Sequence, residues 1–338
     1  MIPRIDSSIE GPQWKKILSD SLDTPEKLAD YLEFSAETRL SLLSISGKLA
    51  QFPLRVPKPY ADRMAKGDLN DPLLRQVLPD ARELSSSTGY STDPLEEKNA
   101  NLIPGLLHKY KSRALLILNG SCPVHCRYCF RRNFPYKDNR NAANDWSNAI
   151  RYIASDSAIN EVILSGGDPL TYPDKYLRSL TDQLTVLPNI KRIRIHTRFP
   201  VVIPERVDQG LLRWLTEVQT RKIMVLHINH PNELDHNLSK ALLDLKETDT
   251  LLLNQAVLLK GINDSAKVQA NLCESLFDAG VLPYYLHLPD KVTGTAHFDL
   301  DESAAKAVIH DMRARLPGFL VPRLAREIPG KPSKTIIS

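Results

Sequence analysis

At 338 residues the chain is long enough for two domains or for one large α/β barrel. Hydrophobic residues at 42% and charged residues at 25% argue for a globular chain with a sizeable core and against disorder. A net charge of +4, with no long block of Lys or Arg, gives no electrostatic case for nucleic acid or a membrane as the main partner. No apolar run is long enough to span a bilayer, and the opening MIPRIDSSIEGPQWKK lacks the apolar centre of a secretory signal. The expectation is a cytoplasmic protein, where clustered cysteines ligate metal or do chemistry rather than form disulfides.

Residues 1–105 read as a helical and irregular collar. TPEKLADYL opens with a Thr N-cap and continues with a helical pattern, whereas FPLRVPKPYADRM and the stretch up to STDP are punctuated by proline. From about residue 114 short apolar, β-branched runs alternate with stretches of helical period. They start near 114, 161, 192, 223, 251 and 283, and after the first interval the repeat is 28 to 32 residues. That is the length of a strand, a crossover helix and two loops, so parallel β/α units are expected over 106–315. Trp146, Ile150 and Ile153, and likewise Leu238, Leu242 and Leu245, fall on single helical faces and read as core. Cys273 reads as a small buried helix residue. Residues 316–338 form a C-terminal segment.

Each strand is followed by polar or reactive groups: the cysteines, SGGDP, HTRFP, HINHPNE, NQ and HLPD. In a parallel barrel these ends converge on one mouth, whereas a doubly wound sheet focuses ligands at one switch point. Six loaded ends favour a partial (β/α)6 barrel carrying an N-terminal collar.

The stretch SCPVHCRYCF places Cys122, Cys126 and Cys129 as C-x3-C-x2-C. A structural zinc site wants four ligands, which His125 or His108 would have to complete. A cubane iron–sulfur cluster held by three cysteines keeps one iron open for a substrate or cofactor. Spacing alone leaves both readings standing.

The C-x3-C-x2-C loop after the first barrel strand, with SGGDPL after the second, resembles the radical S-adenosylmethionine superfamily. Within it the chain resembles the lysine 2,3-aminomutase family, through FPLRVP, IPGLLHKYKSRALLILNGSCPVHCRYCFRRNF, SGGDPL, RIHTRFPVVIPERV, HINHPNE, NQAVLLKGIND, PYYLHLPD and PGKPSKT. The resemblance implies a [4Fe-4S] cluster on the three cysteines, with S-adenosylmethionine on the open iron. It places Ser165, Gly166, Gly167 and Asp168 against that cofactor's amino group, and His230 and Gln255 at further contacts with it. It also implies pyridoxal phosphate on Lys334, with Tyr110 near the ring and Arg113 at the phosphate. A second phosphate-binding arginine of the family is Lys109 here. PGKPSKT departs from the family's PGGGGKT, which makes Lys331 a rival to Lys334.

For the substrate, the resemblance sets Arg131 on the α-carboxylate and Asp290 and Glu327 on a cationic side chain, Glu327 standing where the family usually has Asp. Two carboxylates would repel glutamate, so L-lysine is expected, with arginine or another cationic amino acid as the alternative. The implied activity is conversion of L-lysine to β-lysine, driven by an electron donor such as flavodoxin or ferredoxin. The likeness to the short form of the family implies supply of (R)-β-lysine to elongation factor P through its β-lysine ligase. The alternative from another class is a metal-bearing interaction protein without turnover.

Overall fold

The computed structural model describes residues 12–46, 52–139 and 145–338. Among the described residues nine strands form one sheet in chain order: β1 Leu106–Tyr110, β2 Arg113–Ile117, β3 Glu161–Ser165, β4 Arg192–Thr197, β5 Arg221–Leu226, β6 Thr250–Val257, β7 Leu282–His287, β8 Arg323–Arg326 and β9 Thr335–Ile336. The six runs expected from periodicity are β2 to β7, all parallel, and β8 continues them. The outermost pairs, β1 with β2 and β8 with β9, are antiparallel. Among the described residues no pairing joins β1 to β9, so the barrel is partial, as expected.

The crossover helices cover the sheet because their apolar stripes do. Leu238, Leu242 and Leu245 are wholly buried, as are Ile153 and, at 2% exposure, Cys273. Short polar side chains start these helices by accepting orphan backbone N–H groups: Asp208 from Leu211, Asp235 from Leu238 and Ser265 from Val268. Thr24 caps Pro25–Tyr31 in the collar in the same way.

Collar and barrel share one hydrophobic cluster that runs from Trp14 to Leu324. Trp14 meets Phe199 edge to face at 5.4 Å, while Arg63 reaches the carbonyl oxygens of Val201, at 2.6 Å, and Glu233. The collar also grips the cysteine loop. Arg55 donates to the Cys122 carbonyl at 3.1 Å, the Arg55 carbonyl accepts from His125 N, and the Gln76 carbonyl accepts from Arg127 N. Arg127, fully buried, forks onto Glu83 at 2.8 and 2.6 Å and donates to the Phe52 carbonyl, and Arg132 adds a second cation on Glu83. The sequence offered no chemistry for the collar; the structure makes it the clamp on the loop that carries the thiols.

A charge left alone at such a site is expensive. Glu83→Ala is expected to destabilise the protein by about 3–5 kcal/mol, with Arg127→Met recovering part of the loss in the double variant. Chemical denaturation measures both, and a loss under about 1 kcal/mol contradicts the clamp.

Candidate active site

The cysteine loop leaves the C-terminal end of β2 and lies against the glycine loop that leaves β3. Leu118 N donates to the Ser165 carbonyl, Gly167 N to the Asn119 carbonyl at 2.7 Å and Asp168 N to the Ser121 carbonyl at 2.8 Å. Gly166 has φ of +127°, and a Cβ on Gly167 would stand 2.3 Å from the Ser121 carbonyl oxygen. What these glycines admit in the structure is therefore the cysteine loop itself.

Cys122, Cys126 and Cys129 are all partly buried and feel one another. Burial pushes the Cys122 thiol well up, with the charges of Cys129, Asp168 and Cys126 adding to it. Burial and Cys126 raise Cys129 to about 11. Three thiolates crowded here need cationic ligation to exist together, which is the chemistry that a cluster's irons supply. Among the described residues no three His, Cys, Asp or Glu groups gather around a single-ion position. A tetrahedral zinc would draw its sulfurs to about 2.3 Å from one point, whereas a cubane seats each thiolate on a different iron.

Asp168 does not point its carboxylate into the mouth. It accepts from the Thr197 hydroxyl at 2.8 and 2.9 Å, from Arg198 N at 2.8 Å and from Leu170 N at 3.0 Å. Burial lifts its pKa to about 6 against these bonds. Its side chain ties the end of β3 to the end of β4.

The remaining candidates meet as a line of alternating charge. Arg131 donates through Nε and Nη2 to the two oxygens of Glu97, each at 2.8 Å, and through Nη1 to Ser165 Oγ at 3.1 Å. Glu97 also pairs with Lys109 at 3.3 Å, Lys109 with Glu327 at 2.9 Å, and Glu327 with Lys334 at 3.1 Å. Lys109 lies on β1 and Glu327 just after β8, so this pair bridges the side on which the sheet stays open. Two of the departures noted from the family pattern, Lys109 and Glu327, are in contact with each other.

Burial would raise Glu327, but Lys334 and Lys109 hold it at about 2. Asp290 goes the other way: burial and then the charge of Glu327 lift it to about 7, against Lys334 and Lys109. Tyr110 lies under Arg113, whose guanidinium is 4.5 Å from its ring centre, and burial followed by Glu327 raises its hydroxyl pKa. Lys334 sits over the Tyr285 ring at 5.8 Å. Its segment is held down: Thr335 pairs with Arg326, and Ile337 N donates to the Leu324 carbonyl at 2.8 Å. Lys331 is exposed, whereas Lys334 is half-buried.

Gln255 faces His196 at 3.5 Å, whereas His230 stands apart, accepting from Asn232 N and capping the turn Pro231–Glu233. His196 itself escaped the sequence reading. Its Nε2 is buried without a hydrogen bond, and burial followed by Arg194 and Lys334 holds the ring well below its usual pKa. Glu97, too, was missed, since its neighbours EEKN look like any exposed helix start.

Residues 116–236 match the model of the Radical SAM superfamily. That class carries a [4Fe-4S] cluster and S-adenosylmethionine. The chain is 46% identical over 324 residues to the L-lysine 2,3-aminomutase of Escherichia coli K12, covering 95% of this chain and 93% of that protein. The Haemophilus influenzae protein of the same name is 45% identical over 327 residues, 97% and 96% covered. That of Clostridium subterminale is 31% identical over 330 residues, 97% and 78% covered. The chain belongs to the L-lysine 2,3-aminomutase family, whose members are isomerases.

Asp290 gives the site a pH signature. Its ordinary pKa is 3.8 and its folded value about 7, so between these the folded protein holds a proton the unfolded chain has shed. Stability attributable to this group is full at low pH and falls as pH rises from about 4 to about 7. Asp290→Asn is expected to raise the melting temperature relative to the parent at pH 8 and to leave the difference smallest near pH 4. A difference that does not vary across that range contradicts the perturbed carboxyl.

Proposed function

We propose that this chain converts L-lysine to β-lysine, with its cluster on Cys122, Cys126 and Cys129 and pyridoxal phosphate on Lys334. The observation that carries the reading is the line Arg131–Glu97–Lys109–Glu327–Lys334, with Asp290 beside it, inside one barrel mouth. Arg131 supplies a cation at one end, and Glu327 and Asp290 supply carboxylates beside Lys334 at the other, the complement of an amino acid with a cationic tail.

Bound there, the reduced cluster with S-adenosylmethionine supplies a 5′-deoxyadenosyl radical, and pyridoxal phosphate supplies a carbonyl to carry the migrating nitrogen. The chain's own residues do the holding. Glu97 occupies the Nε–Nη2 edge of Arg131, so the Nη1–Nη2 edge is the one presented to a substrate carboxylate, in the fork geometry that carboxylates prefer. Asp290, its pKa near neutrality, takes the tail ammonium, and that cation favours its ionised form. Glu327 stays ionised between Lys109 and Lys334 and fixes where Lys334 stands. Ser165 steadies the Arg131 fork, Gln255 and His230 extend the S-adenosylmethionine pocket, and Arg113 over Tyr110 supplies the phosphate anchor. Lys109, already on two carboxylates, contributes charge rather than a fork to that phosphate. Walls that exclude water keep a primary carbon radical on its target.

The physiological reading is a cytoplasmic enzyme, fed by a flavodoxin- or ferredoxin-type donor, that supplies (R)-β-lysine to the ligase that modifies elongation factor P. The near-full-length match to the Escherichia coli and Haemophilus influenzae proteins supports the aminomutase activity; the link to elongation factor P rests on the resemblance to the short form of the family. Among the described residues no helix is long and apolar enough to cross a membrane.

The test is anaerobic incubation of the reconstituted protein with dithionite, S-adenosylmethionine, pyridoxal phosphate and L-lysine or L-arginine. Mass spectrometry is expected to find β-lysine over many turnovers, and none with Cys126→Ala or Lys334→Ala. Turnover of arginine in place of lysine moves the substrate assignment; a loaded cluster that cleaves S-adenosylmethionine without β-lysine rejects it. Elongation factor P that stays β-lysylated after deletion of the gene rejects the physiological role.

A further inference from the structure

Behind the cysteine loop lies a buried polar cluster that the substrate line does not use, centred on Arg198 at the end of β4. The residue is 7% exposed. Its two terminal nitrogens face different groups. Nη2 donates to Glu233 Oε2 at 2.8 Å, Gln76 Oε1 at 2.7 Å and Tyr60 OH at 3.1 Å. Nη1 donates to Tyr128 OH at 2.6 Å and to Cys126 Sγ at 2.8 Å. Its backbone N–H donates to Asp168, so the same residue is tied to the glycine loop.

This arrangement holds more than packing requires. Tyr60 and Gln76 come from the collar and Glu233 from the loop after β5, and together they fix which way the guanidinium faces. Glu233 is itself anchored by Asn229 N at 2.9 Å and His230 N at 3.1 Å. The remaining terminal nitrogen, Nη1, is shared between the Tyr128 hydroxyl and the Cys126 sulfur. A hydrogen bond and a positive charge at a cluster thiolate, in a poorly screened interior, favour the state that carries one more electron.

We propose that Arg198 is a positioning residue for the iron–sulfur cluster: through Nη1 it fixes the Cys126 thiolate and raises the cluster's reduction potential, with Tyr60, Gln76 and Glu233 setting its orientation. The inference rests on Cys126 being a cluster ligand. It makes the collar part of the redox site, because a collar that is not seated leaves the guanidinium without its fixed direction. It also assigns Glu233 an opposing effect, since its carboxylate offsets the charge that Arg198 presents.

The experiment compares the full-length protein with Arg198→Gln, Arg198→Lys and Glu233→Gln after anaerobic reconstitution. Iron and sulfide content per chain is read first, then the reduced-cluster signal by electron paramagnetic resonance across a mediated redox titration. In loaded Arg198→Gln the ratio of reduced to oxidised cluster at a fixed poise is expected to fall about tenfold, a midpoint lower by about 59 mV for one electron. Arg198→Lys is expected between it and the parent, and Glu233→Gln on the opposite side of the parent. A purely structural role changes cluster content and leaves the midpoints together. Coincident midpoints in the loaded proteins overturn the proposal; if Arg198→Gln takes up no cluster, Arg198→Lys and Glu233→Gln decide it. A parent protein that loads four irons equally well with Cys126→Ala removes the ligand reading, and the proposal with it.

Discussion

Glu327 keeps its charge where burial alone would neutralise it, because two lysines from different parts of the chain close on it. Lys109 reaches it from the first strand and Lys334 from the last segment, at 2.9 and 3.1 Å. Among the described residues the first and last strands are not paired with each other, and this carboxylate provides a link across that side. The same contact orders residues near the end of the chain, where fraying is the ordinary expectation. It also sets the neighbouring chemistry: the charge on Glu327 is the second cause, after burial, of the raised pKa of Asp290. Seam, tail and the titration of Asp290 thus depend on one half-buried anion.

The other half of the mouth depends on how the collar meets the cysteine loop. Backbone carbonyls of Phe52, Pro53, Arg55 and Gln76 accept from His125 and Arg127, so the loop between the cysteines is hydrogen-bonded to residues far ahead of it in the chain. Glu83 neutralises Arg127 and Arg132 in the same contact. A short loop bearing three partly buried thiols has little regular structure of its own, and the collar supplies what the barrel strands cannot. Glu97 then joins the two halves, since it contacts both Arg131, two residues beyond Cys129, and Lys109.

Much of this was legible in the residues. The six strands β2 to β7 announced themselves by spacing, their polar C-terminal ends pointed to one mouth, and three clustered thiols marked the reactive end. β1, β8 and β9 did not: β1 and β9 pair antiparallel at the two edges, outside the repeating β/α unit, and β8 and β9 have only four and two residues. Arg198 and Glu233 stood inside stretches already singled out, HTRFP and HINHPNE, but a buried ion pair between residues 35 apart leaves no local pattern. Glu97 was hidden more completely, because an acidic residue at a helix start is ordinarily solvated. Gly166 and Gly167 were read as lying against a cofactor, whereas the backbone that approaches them in the structure belongs to the cysteine loop and could be known only from the folded chain.

The central claim is that the mouth holds both ends of lysine so that its β-carbon lies beside the radical source. L-lysine deuterated at C3, turned over with unlabelled S-adenosylmethionine, tests it directly. The account predicts deuterium in the 5′-deoxyadenosyl group recovered from the reaction, dependent on Arg131 and Asp290. Cleavage of S-adenosylmethionine with no deuterium in that group, lysine being present at saturation, contradicts it.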